Sequence, residues 1–130
     1  MKLNFIDLQR QYQLYKTEID NSINKVLTSS RYVFGSEIDE LEVKLAEFSG
    51  CKYAAACGSG TDALMLAILS KGLKTDDEII TTPFTFIATA EIPYLLGIKP
   101  VFVDIDEKTY NIDTTKIEAA ITKNTKAILP

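Results

Sequence analysis

The chain has 130 residues, 46% of them hydrophobic, and a net charge of −4, which suits a globular domain with a core. The acidic balance gives no electrostatic reason to expect nucleic acid or an anionic membrane as a partner, and no apolar run approaches the roughly 20 residues that span a bilayer. The N-terminus turns acidic too early for a signal peptide, and Cys51 and Cys57 are the only cysteines. We therefore expect a cytoplasmic protein with two reduced thiols and no metal site.

Residues 1–50 are predicted to form an N-terminal helical segment. Apolar residues recur every three or four positions from Leu8 to Leu27, which predicts an amphipathic helix with Asp7 as its cap. A loop at residues 29–35 follows, in which Arg31 is either a surface residue or a contact to an anion. A second helix is predicted to start at Ser36 as N-cap and to end at Gly50.

Residues 51–130 alternate between strand and helix patterns, which predicts a parallel α/β sheet with flanking helices. The segment ends on a strand that looks buried and that no later helix covers, so we expect an incomplete α/β cofactor-binding domain from a longer chain. In chain order, the first predicted elements are a strand at 53–56, a helix at 61–71 closed by Gly72, and a strand at 78–82. A helical run follows at 84–91, with a kink or broken turn near Thr89 caused by Pro93. The last predicted elements are a buried strand at 99–104, a helix from Asp113 to Ile121 and a strand at 125–129.

A glycine turn, Gly58-Ser59-Gly60-Thr61, joins the first predicted strand to a strongly apolar helix. The first amide N–H groups of a helix have no partner within it and lie at the positive end of its dipole, which suits a phosphate. Glycine lets the backbone approach a ligand closely, and the hydroxyls of Ser59 and Thr61 can donate hydrogen bonds. The turn therefore predicts an anion site, most simply for a phosphorylated cofactor.

The same turn allows other interpretations. Residues 58–63 fit the G-x-G-x-x-A pattern of an NAD-binding Rossmann domain, but the second strand ends in Thr81-Thr82 instead of the acidic residue that would bind the ribose. A P-loop is excluded because no Gly-Lys-Ser/Thr follows. A non-catalytic phosphate- or nucleotide-binding module, and a glycine turn without a ligand, both stay open.

Further side chains are predicted to lie near this turn, because ligands of open α/β sheets gather at the carboxyl ends of the strands. Phe84 and Phe86 follow the second predicted strand, and an aromatic ring beside a phosphate site suggests a stacked planar ring. Either phenylalanine could equally belong to the core. Asp104 and Asp106 follow the third strand, where solvated turn carboxylates are the simpler interpretation.

Five segments together resemble the DegT/DnrJ/EryC1/StrS sugar aminotransferases, which use pyridoxal phosphate. The resemblance covers the whole chain in order, and it implies the N-terminal part of the large domain of a type I aminotransferase fold. The segments are N-F-I-D-L (4–8), S-S-R-Y-V-F-G (29–35), G-S-G-T-D-A-L (58–64), D-E-I-I-T-T-P-F-T-F-I-A-T-A-E (77–91) and P-V-F-V-D-I-D (100–106).

The resemblance also implies roles for single residues. Ser59, Gly60 and Thr61 match the turn that binds the cofactor phosphate, and Phe86 matches the aromatic residue that stacks on the pyridine ring. The family's lysine that forms a Schiff base with the cofactor, and its aspartate facing the pyridinium nitrogen, have no matching motif here. No catalytic residue is therefore expected within these 130 residues, and the chain alone is expected to be inactive.

For the complete protein the resemblance implies transfer of an amino group from an amino acid such as glutamate to a nucleotide-linked keto-sugar, as in polysaccharide biosynthesis. It also implies a homodimer in which each active site is completed by the neighbouring subunit. A few members of the family are sugar dehydratases, and the residues that decide between the two reactions lie outside this chain.

Overall fold

A computed structural model describes residues 5–130, arranged as two compact units, Met1–Ala56 and Cys57–Pro130. Asn4, the first residue of the N-F-I-D-L segment, lies outside the described residues. The elements in chain order are α1 (Leu8–Ser29), α2 (Ser36–Ser49), α3 (Gly60–Ser70), β1 (Glu78–Thr81), α4 (Ala88–Leu95), β2 (Lys99–Phe102), α5 (Thr114–Ala120) and β3 (Thr125–Ile128).

The first unit contains α1 and α2. The carboxylate of Asp7 accepts the N–H of Arg10 at 2.9 Å, so the predicted cap of α1 is confirmed. Gly50 ends α2 in the left-handed conformation, at φ +66°, also as predicted. The prediction that Ser36 is the N-cap is wrong: Gly35 holds the cap position without a side-chain bond, and Ser36 is the first helical residue.

The apolar stripe of α1 forms the expected helix but does not enter a core within residues 5–130. No residue of α1 is buried, and Tyr15, Ile19 and Ile23 are exposed. Periodicity therefore predicted the helix correctly, but within residues 5–130 its apolar stripe stays exposed. None of the helices in the described part of the chain combines the length and the apolar character needed to cross a bilayer.

The second unit is built on a three-stranded parallel sheet in the order β2-β1-β3. The parallel α/β prediction is thus confirmed. The crossover β1-α4-β2 leads to one side of β1, and the crossover β2-α5-β3 leads to the other. Because parallel crossovers are right-handed, this reversal places α4 and α5 on opposite faces of the sheet.

Two apolar clusters cover the two faces of β1. Ile79 packs on one face with Ile68 of α3 and Ile92 of α4, and Ile80 packs on the other face with Val103 and Ile112. Successive residues of a strand point to opposite faces of the sheet. Ile79 and Ile80, which are adjacent in β1, therefore each pack against the elements that cover one face. The first cluster holds α3 and α4 against the sheet, which fixes the positions of both helix N-termini.

Three elements predicted within residues 51–130 are corrected. Residues 53–56 are not a strand, because no strand pairs with them in the described sheet; the N–H of Ala56 instead donates to the Glu42 carboxylate at 2.7 Å. The fourth helix starts at Ala88 and continues through the buried Pro93, so packing outweighs the lost helical hydrogen bond. The strand predicted at 99–104 ends at Phe102 and lies at an edge of the described sheet, where Lys99 and Phe102 are exposed.

A buried carboxylate ties the amino ends of the three strands together. Glu78 of β1 accepts hydrogen bonds from the Thr122 hydroxyl, just before β3, at 2.5 Å and from the Lys99 ammonium of β2 at 3.2 Å. The hydrogen bond from Thr122, assisted by Lys99, holds the pKa of the Glu78 carboxyl below its ordinary value of 4.5, although burial opposes this shift.

The lowered pKa of the Glu78 carboxyl predicts how the stability of the protein changes at acidic pH. A carboxyl whose folded pKa is lowered adds stability above its unfolded pKa, and this stability is lost as the pH falls through the folded value. We expect Glu78→Gln to lower the unfolding temperature of the full-length protein at pH 7, with the difference from wild type shrinking below pH 4.5. A difference that is the same at pH 7 and pH 3 would contradict the role of the Glu78 charge.

Candidate functional site

The glycine turn opens α3 and leaves amide donors available. Ser59 is the N-cap, and its side chain accepts the N–H of Asp62 at 3.1 Å. Within residues 5–130 no hydrogen bond engages the N–H groups of Gly60 and Thr61. A hydroxyl that accepts one hydrogen bond can still donate its own proton, so Ser59 adds a further donor to these two amides.

The space beside Gly60 fits a ligand atom. A Cβ built on Gly60 would meet no heavy atom within 4 Å, whereas one built on Gly58 would lie 2.8 Å from the Asp62 carboxylate. The backbone of Gly60 is outside the left-handed region, so local conformation does not demand glycine there. Open space therefore lies beside the first residue of α3, and the backbone there is accessible to a ligand.

The attraction for an anion comes from the backbone. No lysine or arginine occurs between Cys57 and Ser70, and Asp62 places a negative charge in the first turn of α3. Within this segment the positive features are the free N–H groups of the first turn and the helix dipole, which favour an anion at a helix N-terminus.

The start of α3 lies at the carboxyl edge of the sheet. Residues 71–77 lead from the end of α3 to the amino end of β1, where Asp76 donates its N–H to Gly97, just before β2. An eleven-residue helix is about 16 Å long, so the first turn of α3 is displaced from this edge toward the opposite one. The carboxyl edge is where ligands of doubly wound sheets bind.

The aromatic residues of the crossover after β1 lie at the same edge. Residues 82–87 connect β1 to α4, and Phe86 in this connection is 72% exposed. The carbonyl of Phe86 accepts the N–H of Thr89, which ties the loop to the first turn of α4. The structure thus brings Ser59, Gly60 and Thr61 together at the start of α3, and it places Phe86 before the adjacent helix with its ring open to solvent.

The aspartates after β2 serve local turns. Asp106 accepts the N–H groups of Lys108 and Thr109 at 3.0 and 2.8 Å, and the bond from Thr109, followed by that from Lys108, lowers the pKa of the Asp106 carboxyl. Asp104 accepts the N–H of Ile105 at 2.8 Å. Within residues 5–130 no group of three or more His, Cys, Asp or Glu side chains could hold a metal ion.

The sequence patterns missed two features near this edge. Tyr110, in the loop after β2, packs its ring against Phe84 with a centroid distance of 5.9 Å. The hydroxyl of Thr81, at the end of β1, is fully buried and has no hydrogen-bond partner within the described residues. Neighbouring residues in the sequence predict neither feature, because each depends on residues that are distant in the chain.

Comparison with known proteins adds a family match and close structural overlaps. The DegT/DnrJ/EryC1/StrS aminotransferase family model matches residues 13–130. The UDP-2-acetamido-2-deoxy-3-oxo-D-glucuronate aminotransferase of Pseudomonas aeruginosa is 50% identical over 128 residues, covering 98% of this chain and 36% of that protein.

Two solved structures overlap almost the whole chain. DesV from S. venezuelae, solved in complex with a ketimine intermediate, superposes with a TM-score of 0.95 at 35% identity, covering 99% of this chain and 35% of that one. NtdA from Bacillus subtilis, solved with bound cofactor PMP, gives a TM-score of 0.92 at 35% identity and covers 99% and 30%. These overlaps confirm the predicted aminotransferase fold. The chain spans about a third of the length of these three proteins.

Proposed function

Because the chain belongs to the DegT/DnrJ/EryC1/StrS aminotransferase family, we propose that the complete protein uses pyridoxal phosphate to transfer an amino group to a nucleotide-linked keto-sugar. The observation that carries this proposal is the start of α3 at the carboxyl edge of the sheet, where the N–H groups of Gly60 and Thr61 are free and the space beside Gly60 is open. The name of the Pseudomonas aeruginosa relative, an aminotransferase of a UDP-linked 3-oxo sugar, supports the substrate class. Glutamate is proposed as the amino donor.

In this proposal the cofactor supplies an electron sink for the amino-group transfer, and the described residues bind and orient it. The amides of Gly60 and Thr61, with the hydroxyls of Ser59 and Thr61, would hold the phosphate. Phe86, whose exposed side chain offers a flat apolar surface, would stack on the pyridine ring. The amine that bonds the cofactor, and the groups that move protons, are proposed to lie in the part of the protein beyond these 130 residues.

We further propose that residues 1–50 form a helical segment, that residues 51–130 form part of a larger cofactor-binding domain, and that the cytoplasmic protein is a homodimer. The exposed apolar stripe of α1 supports an assembly in which further protein surface covers this helix, because burying such a stripe is favourable. The chain alone is proposed to be inactive.

The proposal predicts a spectroscopic result. Adding pyridoxal phosphate to the full-length protein is expected to shift the near-ultraviolet and visible absorbance band of the cofactor. With glutamate alone, 2-oxoglutarate is expected to form in a single turnover, because the bound cofactor accepts the amino group once. Continued formation is expected only when a nucleotide-linked keto-sugar is also added, because the sugar then takes the amino group from the cofactor. A well-folded protein that leaves the cofactor spectrum unchanged would contradict the proposal.

A further inference from the structure

Tyr110 has an unusual backbone conformation for a large side chain. Its φ is +59°, in the left-handed region, and its ring is 62% exposed. L-amino acids with bulky side chains rarely adopt this conformation, which persists only where the surrounding structure fixes it. Strained residues of this kind cluster at functional sites, so the contacts of Tyr110 are informative.

The turn that carries Tyr110 is anchored to the core. The Asp106 carboxylate accepts the N–H groups of Lys108 and Thr109, and the N–H of Tyr110 donates to the Asp106 carbonyl at 2.9 Å. A β-bridge then joins Ile105 to Ile112, and Ile112 is buried in the cluster beneath Ile80. The backbone of Tyr110 is therefore held in place from both sides.

The ring of Tyr110 contacts the loop that carries Phe86. Its centroid lies 5.9 Å from that of Phe84, with the two planes inclined at 35°, a separation typical of interacting aromatic pairs. The loop has three further contacts: the N–H of Thr89 donates to the carbonyl of Phe86 at 3.1 Å, the N–H of Phe84 lies 3.3 Å from the Thr82 hydroxyl, and the hydroxyls of Thr85 and Thr89 are 3.3 Å apart. Phe84 is two residues before Phe86, so a fixed Phe84 restricts where Phe86 can lie.

We infer that Tyr110 is a positioning residue, which holds residues 82–87 through Phe84 and so fixes the backbone position from which Phe86 extends at the carboxyl edge of the sheet. The inference rests on the proposed function, in which Phe86 contacts the ring of pyridoxal phosphate. The arrangement of Phe86 itself can be measured without any cofactor.

The test compares two variants of the full-length protein that carry 4-fluorophenylalanine at position 86. Tyr110→Gly removes the ring and suits the left-handed backbone, so the turn keeps its conformation; Tyr110→Phe keeps the ring and removes only the hydroxyl. In cofactor-free protein we expect the same fluorine chemical shift for wild type and Tyr110→Phe, and a different chemical shift for Tyr110→Gly, because the loop then changes its position. We also expect Tyr110→Gly to weaken pyridoxal phosphate binding roughly two- to tenfold, the range that one aromatic pair contributes.

The control is Asp76→Gly, which replaces another left-handed residue, at φ +69°, in the turn before β1. It is expected to leave the resonance and the affinity unchanged. The inference is overturned if Tyr110→Gly leaves the fluorine resonance as in wild type, or if wild type binds the cofactor and Tyr110→Gly binds it equally well. If wild type binds no cofactor, the proposed function fails, while the fluorine resonance still decides whether Tyr110 fixes the position of Phe86.

Discussion

Replacing Thr61 with alanine is expected to weaken binding of pyridoxal phosphate to the full-length protein by roughly ten- to a hundredfold. A hydrogen bond to a charged group contributes about 1.5–3 kcal/mol, and each 1.4 kcal/mol or so is a factor of about ten in affinity. Thr61 is the second residue of α3 and is half-buried, and Ser59, not Thr61, caps the helix. The substitution therefore removes a phosphate donor and leaves the cap in place.

Ser70→Ala is the matched control for Thr61→Ala. It also deletes one hydroxyl from α3, but at the last residue, where the hydroxyl donates to the Ala67 carbonyl at 2.7 Å. Equilibrium titration of both variants followed by cofactor absorbance gives the comparison. We expect Ser70→Ala to bind the cofactor as wild type does, and equal losses in the two variants would remove Thr61 from the site.

Replacing Ile79 with alanine is expected to lower the free energy of unfolding around β1 by about 2–5 kcal/mol, because truncation removes buried surface and leaves a cavity. Ile79 is 1% exposed and packs with Ile68, Ile92 and Ile98, which joins α3 and α4 to the sheet. Ile79→Val keeps most of the side chain and is expected to cost about 0.5–1.5 kcal/mol.

Native-state hydrogen exchange of the β1 amides in the full-length protein measures both variants, because it reports the free energy of opening segment by segment. We expect a graded loss of protection, larger for alanine than for valine. Protection unchanged by Ile79→Ala would mean that this cluster does not hold α3 and α4 on the sheet.

The features that could be predicted from the sequence are those set by neighbouring residues. Asp7 and Asp113 cap helices because their carboxylates reach an N–H two or three residues ahead, and Gly50 ends a helix because glycine tolerates a positive φ. The alternation of apolar strands with helices likewise predicted the parallel sheet, and the glycine turn predicted the free amides at the start of α3.

The features that could not be predicted depend on partners distant in the chain. Residues 53–56 have a strand-like composition, but a strand needs a paired neighbour, and the described sheet provides none. The helical run predicted from Phe84 begins only at Ala88, because the residues between them form the loop that packs against Tyr110. The placement of Phe86 follows from that loop, so its role at the site stays a prediction.

Binding of the cofactor phosphate at the start of α3 is tested by comparing pyridoxal phosphate with pyridoxal, which lacks the phosphate. Affinities of both compounds are measured for the full-length wild type and for Thr61→Ala. We predict the ten- to hundredfold loss, roughly, for pyridoxal phosphate and no loss for pyridoxal. An equal loss for both compounds would contradict binding of the phosphate there, because Thr61 would then act on a part of the cofactor other than its phosphate.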